Sequence, residues 1–157
     1  PKKDATFSKN DVCKFLLEAA DQKWILQKVL VAVVAIAGGC RCDELVKMCI
    51  TDIEDKGDLL LIHIPFTKTH KKRSFTMLST GFGINPINLY RKYINLRPKK
   101  LSTMRLFLCY RSGKCTVQPV GITSFGKMPE LIATFLKLEN SKMYTGHAFR
   151  RSAATLL

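Results

Sequence analysis

Acidic residues are scarce in this sequence. Against 26 Lys and Arg there are only 12 Asp and Glu, which leaves a formal net charge of +14 over 157 residues. A surface so biased attracts polyanions, with nucleic acid the first partner to consider and an anionic membrane the second. Long apolar runs are also lacking. The longest, from Val29 to Ala37, ends at Gly38-Gly39 and is far short of the roughly 18 residues a membrane span needs, so it reads as a buried helix and a membrane partner is not expected. The opening Pro1-Lys2-Lys3-Asp4 leads into polar residues, which is no signal peptide and predicts an intracellular protein. Internal repeats and low-complexity stretches are missing, as are the paired aromatic strings of RNA-binding modules. Metal ligands at useful spacing are missing too. Cys40 and Cys42 are one residue apart, Cys49 follows on the same predicted helix, and no His-x-x-x-His partner exists, so no metal and no cofactor are expected. The six cysteines, Cys109 and Cys115 beside a predicted turn among them, read as reduced, partly buried hydrophobes.

What is present is enough apolar material for a core: 46% of residues are hydrophobic, and the length predicts one domain over 1–157. Ser8, with Asp11 three positions on, reads as the start of a helix carrying Val12, Phe15, Leu16 and Ala19. Asp21 is expected to cap a second helix, from about Lys23 through Ile36, apolar all round in its second half and closed by Gly38-Gly39. A third is expected from Cys40 or Arg41. The period then shortens, and Ile50 to Ile53, Leu59 to Ile64 and Ser74 to Leu78 read as a three-stranded antiparallel meander. Asn85-Pro86 starts another helix, which ends before Pro98. Arg111 to Lys114 reads as the turn of a small hairpin, Thr123 to Leu138 as a helix, and His147 onward as the opening of a last one. The predicted class is α+β, mainly helical, with a small three-stranded antiparallel sheet.

Arg41, Lys68, His147 and Arg150 are the residues that could act on a phosphodiester. Arg41 opens a helix after a Gly-Gly break, with Glu44 placed to hold its guanidinium; alone, that pattern is a solvated ion pair as readily as a site. Lys68 stands at the tip between two predicted strands, and Lys71, Lys72 and Arg73 make the same turn a basic finger suited to a DNA backbone. His147 and Arg150, three apart, share a helical face, although a lone His-x-x-Arg is common.

The weight lies in the set. Gly38-Gly39-Cys40-Arg41-Cys42-Asp43-Glu44-Leu45, a three-stranded sheet, Thr67-Lys68-Thr69 in its second hairpin, and then Gly146-His147-Ala148-Phe149-Arg150-Arg151 resemble the tyrosine recombinase and phage integrase family in order and spacing. The strings from Asn85 to Tyr93, Gly113 to Gly121 and Tyr144 to Arg151 are similar to those of crypton-like eukaryotic members. The resemblance implies that Arg41 and Arg150 hold the non-bridging oxygens of a pentacoordinate phosphate. Lys68 would protonate the leaving 5′ oxygen, and His147 would hydrogen-bond the phosphate and assist proton transfer at the nucleophile. It implies a phosphotyrosine transesterification that needs no metal, because the arginines supply the positive charge. Glu44 is then a supporting residue, and Lys71, Lys72, Arg73 and Arg151 are expected DNA contacts. Double-stranded DNA is the expected partner and the nucleus the expected location. A homo-oligomer is expected on DNA for the full-length protein, and a monomer or weak oligomer for this chain.

One departure bears on activity. The family's nucleophilic tyrosine lies beyond the His-x-x-Arg helix, whereas Tyr90, Tyr93, Tyr110 and Tyr144 all precede Arg150, and none is assigned as nucleophile. The expectation is a chain that supplies the phosphate-binding residues and does not cleave DNA by itself. The alternative is a non-catalytic DNA-binding or interaction module derived from such an enzyme.

Overall fold

The computed structural model describes residues 5–65 and 73–151, apart from the side chain of Arg151. The expected hairpin residues Lys68, Lys71 and Lys72 lie outside the described residues. Helix α1 (Lys9–Glu18) opens on the capping box that its sequence spells: the Ser8 hydroxyl accepts from Asp11 N–H at 3.1 Å, and the Asp11 carboxylate accepts from Ser8 N–H at 2.9 Å. Its apolar face, Val12, Phe15 and Leu16, is buried against helix α2 (Asp21–Ala37). Phe15, Trp24 and Phe135 meet edge to face with centroids 5.4–5.7 Å apart and tie these two helices to the distant helix α5 (Ile122–Phe135).

Helix α2 is buried on every side from Val29 to Ala35, as its unbroken apolar run requires. It starts two residues earlier than the sequence suggests. Ala20 is the N-cap residue and Asp21 is the first helical residue, because the Asp21 carboxylate is spent elsewhere. It accepts from the buried Lys28 Nζ at 2.5 Å and, from helix α4 (Pro86–Asn95), from Lys92 Nζ at 3.0 Å. Lys28 also donates to Ala19 O at 2.8 Å, so its buried ammonium is matched by one charge and one carbonyl.

The sheet has the order β1 (Ile53–Asp55), β2 (Leu59–Ile64) and β3 (Arg73–Leu78), all antiparallel. Ile50–Asp52, read from the sequence as strand, is a 3₁₀ turn instead: the Asp52 carboxylate accepts from Cys49 N–H at 2.8 Å and curls the chain before β1 begins. Alternation along β2 buries Leu60, Ile62 and Ile64, with Ile53 and Met77 beside them on the face toward α2. On the outer face His63 bridges Ser74 at 2.7 Å and Glu54 at 2.6 Å across all three strands.

Helix α4 begins as expected, with the Asn85 side chain accepting from Ile87 and Asn88 N–H and Pro86 in the first turn. A second hairpin joins β4 (Leu108–Arg111) to β5 (Lys114–Pro119) through Ser112 and Gly113, both left-handed at φ 51° and 85°, the pairing a tight hairpin turn demands. The basic loop before it is an internal clamp. Arg97 donates to the carbonyls of Arg105 and Leu106, Arg105 donates to Val46 O, and Leu106 N–H reaches Met48 O at 2.8 Å. These bonds pin the end of helix α3 (Cys42–Lys47), whose body packs on α5. All six cysteines are free thiols.

Burial works against the Asp21 carboxylate, but its bonds to Lys28 and Lys92 outweigh that effect and hold its pKa below the ordinary value. A depressed carboxylate contributes stability that is complete above the unfolded pKa and lost as pH falls below it. Asp21→Asn should therefore destabilise the fold by about 3 kcal/mol at neutral pH, by leaving Lys28 buried without its counter-ion. Urea melts should show the difference from the unmodified chain shrinking below about pH 4, where that chain protonates the same group.

Candidate functional site

The end of α2 and the short helix α6 (Ala148–Arg151) meet as backbone against backbone. Gly38 closes α2 in the left-handed conformation, with Gly39 N–H returning to Val34 O at 3.1 Å, and Cys40 N–H then donates to Phe149 O at 3.0 Å. Gly39 sits at φ 106°, and a Cβ there would lie 2.4 Å from Arg150 O. Gly146 makes a similar approach, its would-be Cβ 3.0 Å from Cys42 Sγ. Two segments more than a hundred residues apart are thus zipped together, and each carries one arginine out of the seam.

Between them lies an open cavity of about 470 Å³ lined by Gly38, Gly39, Cys40, Arg41, Glu44, Arg73 and Arg150. Arg41 is half-buried, and its guanidinium makes no hydrogen bond or ion pair with any described residue. Arg150 is exposed and donates from Nη1 to His147 Nδ1 at 3.2 Å. Because a guanidinium cannot accept, His147 Nδ1 must be the unprotonated nitrogen, and Nε2 is left as the donor. His147 stands in the turn ahead of α6, and not on it as the sequence suggests, so it reaches the cavity through Arg150.

Glu44 is the one acid among the described residues of the lining and is 3% exposed. The expectation that it holds the Arg41 guanidinium is corrected here. Its Oε1 accepts from the Arg41 backbone N–H at 2.8 Å, as an N-terminal cap of α3, and its two oxygens accept from Arg73 Nη2 at 2.9 and 2.8 Å. Arg73, expected on the basic finger as a DNA contact, is turned inward as the counter-ion of Glu44. Strand parity explains this. Arg73 pairs with the buried Ile64 and is in phase with Phe75 and Met77, so it points to the core side of β3. That phase is visible in the sequence, but it was masked by reading Arg73 with Lys71 and Lys72 as one charge run.

The burial of Cys40 within this lining, with the Glu44 charge nearby, pushes its thiol up to about 12, and burial with neighbouring Asp43 also raises Cys42. Both stay protonated and serve as packing. None of the four tyrosines lines the cavity. Tyr90 and Tyr93 are buried, Tyr110 donates to Gln22 O, and Tyr144 stacks on Phe7.

The chain superposes on a set of solved structures, three of them as follows. The XerA recombinase aligns with a TM-score of 0.69 at 20% identity, over 96% of this chain and 49% of that one. The XerH site-specific recombinase bound to its difH substrate in a pre-cleavage complex aligns at 0.65 and 21%, over 99% and 44%. The Tn1549 transposon integrase in complex with circular intermediate DNA aligns at 0.56 and 13%, over 98% and 54%. The fold is that of the tyrosine recombinase and integrase catalytic core. At these identities the likeness is one of fold, and the chain spans about half the length of those proteins. No family model matches the sequence, and no curated protein matches it. Among the described residues no helix is long and apolar enough to cross a membrane, and no group of three or more His, Cys, Asp or Glu could hold a metal ion.

Within this recombinase fold, Arg41 and Arg150 share the cavity and His147 touches Arg150, while Lys68 lies outside the described residues, as does the Arg151 side chain. Gly39 is the sensitive point of the arrangement. Gly38→Ala should cost about 1 kcal/mol, for its left-handed φ alone, since nothing crowds its Cβ position. Gly39→Ala should cost about 3 kcal/mol or more by driving a methyl into the Arg150 carbonyl. Thermal melts would rank the two, and faster hydrogen exchange at the Cys40 amide in the second variant would report that the seam had opened.

Proposed function

We propose that the cavity binds a single phosphate of double-stranded DNA for strand cleavage and rejoining by transesterification through a phosphotyrosine link. The observation that carries this reading is that two arginines, Arg41 and Arg150, face one cavity with no described carboxylate paired to either guanidinium. Elsewhere in the molecule a guanidinium such as Arg91 sits squarely on Asp55. A pair of unmatched planar forks is suited to the non-bridging oxygens of a phosphate whose charge grows in the transition state.

In this reading the tyrosine hydroxyl attacks phosphorus and loses its proton to solvent with the assistance of His147, and the bond from phosphorus to the 5′ oxygen breaks, with Lys68 giving that oxygen its proton. His147 donates from Nε2 to a phosphate oxygen, and Glu44 supports the arrangement by capping the helix that starts at Arg41. Lys71, Lys72 and Arg151 are proposed to contact the DNA backbone. The tyrosine is proposed to come from outside this chain, and the domain, taken as one unit over 1–157, to act in an oligomer on DNA. The motif strings support a place among crypton-like eukaryotic recombinases, and with it a nuclear location. The second reading is a non-catalytic DNA-binding or interaction module derived from such an enzyme.

Two outcomes test the proposal. Binding of a DNA duplex, followed by fluorescence anisotropy across a salt series, should weaken in Arg41→Ala and Arg150→Ala, each lowering the slope of log affinity against log salt by about 1. Unchanged affinity and slope in both would remove the cavity from DNA binding. In a protein that carries the nucleophile, either substitution should slow formation of the covalent DNA adduct by roughly 10²-fold. Strong DNA binding with no adduct under any condition would favour the non-catalytic module.

A further inference from the structure

We infer that Arg73 is a third anion-contacting residue of this cavity, donating from Nη1 to a non-bridging oxygen of the bound phosphodiester while Nη2 stays on Glu44. The inference rests on the proposed reading of the cavity and extends it to a residue that the sequence placed on the DNA-facing finger.

The argument starts from how the Arg73 fork is spent. On the surface, Arg91 meets Asp55 with two nitrogens, Nε and Nη2, one on each carboxylate oxygen at 2.8 Å. Arg73 gives both oxygens of Glu44 the same nitrogen, Nη2, at 2.8 and 2.9 Å. Its Nη1 is left with Gly39 O at 3.5 Å, the outer limit of a hydrogen bond. The exposures divide in the same way. The Glu44 side chain is 3% exposed and that of Arg73 is 36%, so the carboxylate is sealed in while the guanidinium straddles the cavity wall.

Charge points in the same direction. Among the described residues the lining contains three arginines and one glutamate, a net of two positive charges in a partly desolvated space. Arg73 is not sealed in with its partner, since full burial would strip the guanidinium of its hydration. Gly39 O, its weak third contact, belongs to the same seam that holds Arg41 and Arg150 in place. Glu44 Oε1 also receives both the Arg41 N–H and Arg73 Nη2, so a single oxygen sets where Arg41 leaves the backbone and where Arg73 points. A phosphate drawn in by Arg41 and Arg150 meets Nη1 of Arg73 on the third side, and exchanging a 3.5 Å carbonyl contact for a charge-assisted bond to an oxyanion favours that shift.

The test is a titration of the 157-residue chain with dimethyl phosphate, followed through its ¹⁵N-labelled arginine side-chain signals, which are assigned by Arg41→Lys, Arg73→Lys and Arg150→Lys. The expected result is that the signals of Arg41, Arg73 and Arg150 move together with one dissociation constant. A second measurement uses the double variant Arg73→Ala with Glu44→Gln, which removes both charges of the buried pair and so avoids leaving one unmatched. It should bind dimethyl phosphate roughly tenfold more weakly, the loss of one charge-assisted hydrogen bond. If Arg41 and Arg150 shift while Arg73 stays still, and the double variant binds as the unmodified chain does, the inference fails and the reading of the cavity stands. If none of the three moves, both fall. Should the double variant not fold, the titration of the unmodified chain decides alone.

Discussion

The buried carboxylate of Glu44 is the interaction on which the site depends. It caps the short helix that begins after Arg41, and it holds Arg73 at the base of the third strand. A carboxylate that deep is unfavourable without compensation, and here it receives a backbone N–H and a guanidinium on the same oxygen. One acid therefore joins helix α3 to the sheet and fixes the direction in which two arginines leave their backbones. The cations around the cavity are held near one another by this framework against their mutual repulsion.

The second constraint is the glycine seam. Gly39 lets the chain after α2 run against the carbonyl of Arg150 at a separation no other residue permits, and the Cys40 to Phe149 hydrogen bond closes the join. The apolar body of α2 supplies the rigid floor beneath it. Local rigidity and the positive cavity are thus consequences of one arrangement: a fully buried helix ends abruptly, and its end is covered by the segment that brings the second arginine. Around it, Arg97 and Arg105 serve as clamps on carbonyl groups, so part of the basic composition is spent on holding the fold together.

Much of the local structure was legible because its causes are local. Ser8 with Asp11, Asn85 with Pro86, Gly38 at a helix end, and the alternation of Leu59 to Ile64 each act over a few residues and formed as their chemistry requires. Where the structure differs, a side chain meets a partner that propensity alone does not announce, whether near or far along the chain. Asp21 does not cap its helix because Lys92, far along the chain, competes for it. Ile50–Asp52 is a turn and not a strand, since Asp52 bonds back to Cys49. Arg73 stands on the core-side phase of β3 with Phe75 and Met77, a parity that the adjoining charge run conceals.

By itself the sequence determined most of the helices and strands, the all-round burial of the second half of the second helix, the excess of positive charge, and the order of Arg41, His147 and Arg150 along the chain. Only the tertiary structure decided which cations face the cavity and which are already matched. Capping, periodicity and turn formation are set within a few residues and can be read along a line. Whether a guanidinium is free depends on what lies within about 4 Å of it in space. For Arg41 and Arg73, both tied to Glu44, one through its backbone and the other through its side chain, that neighbourhood exists only after the sheet has packed beside α3.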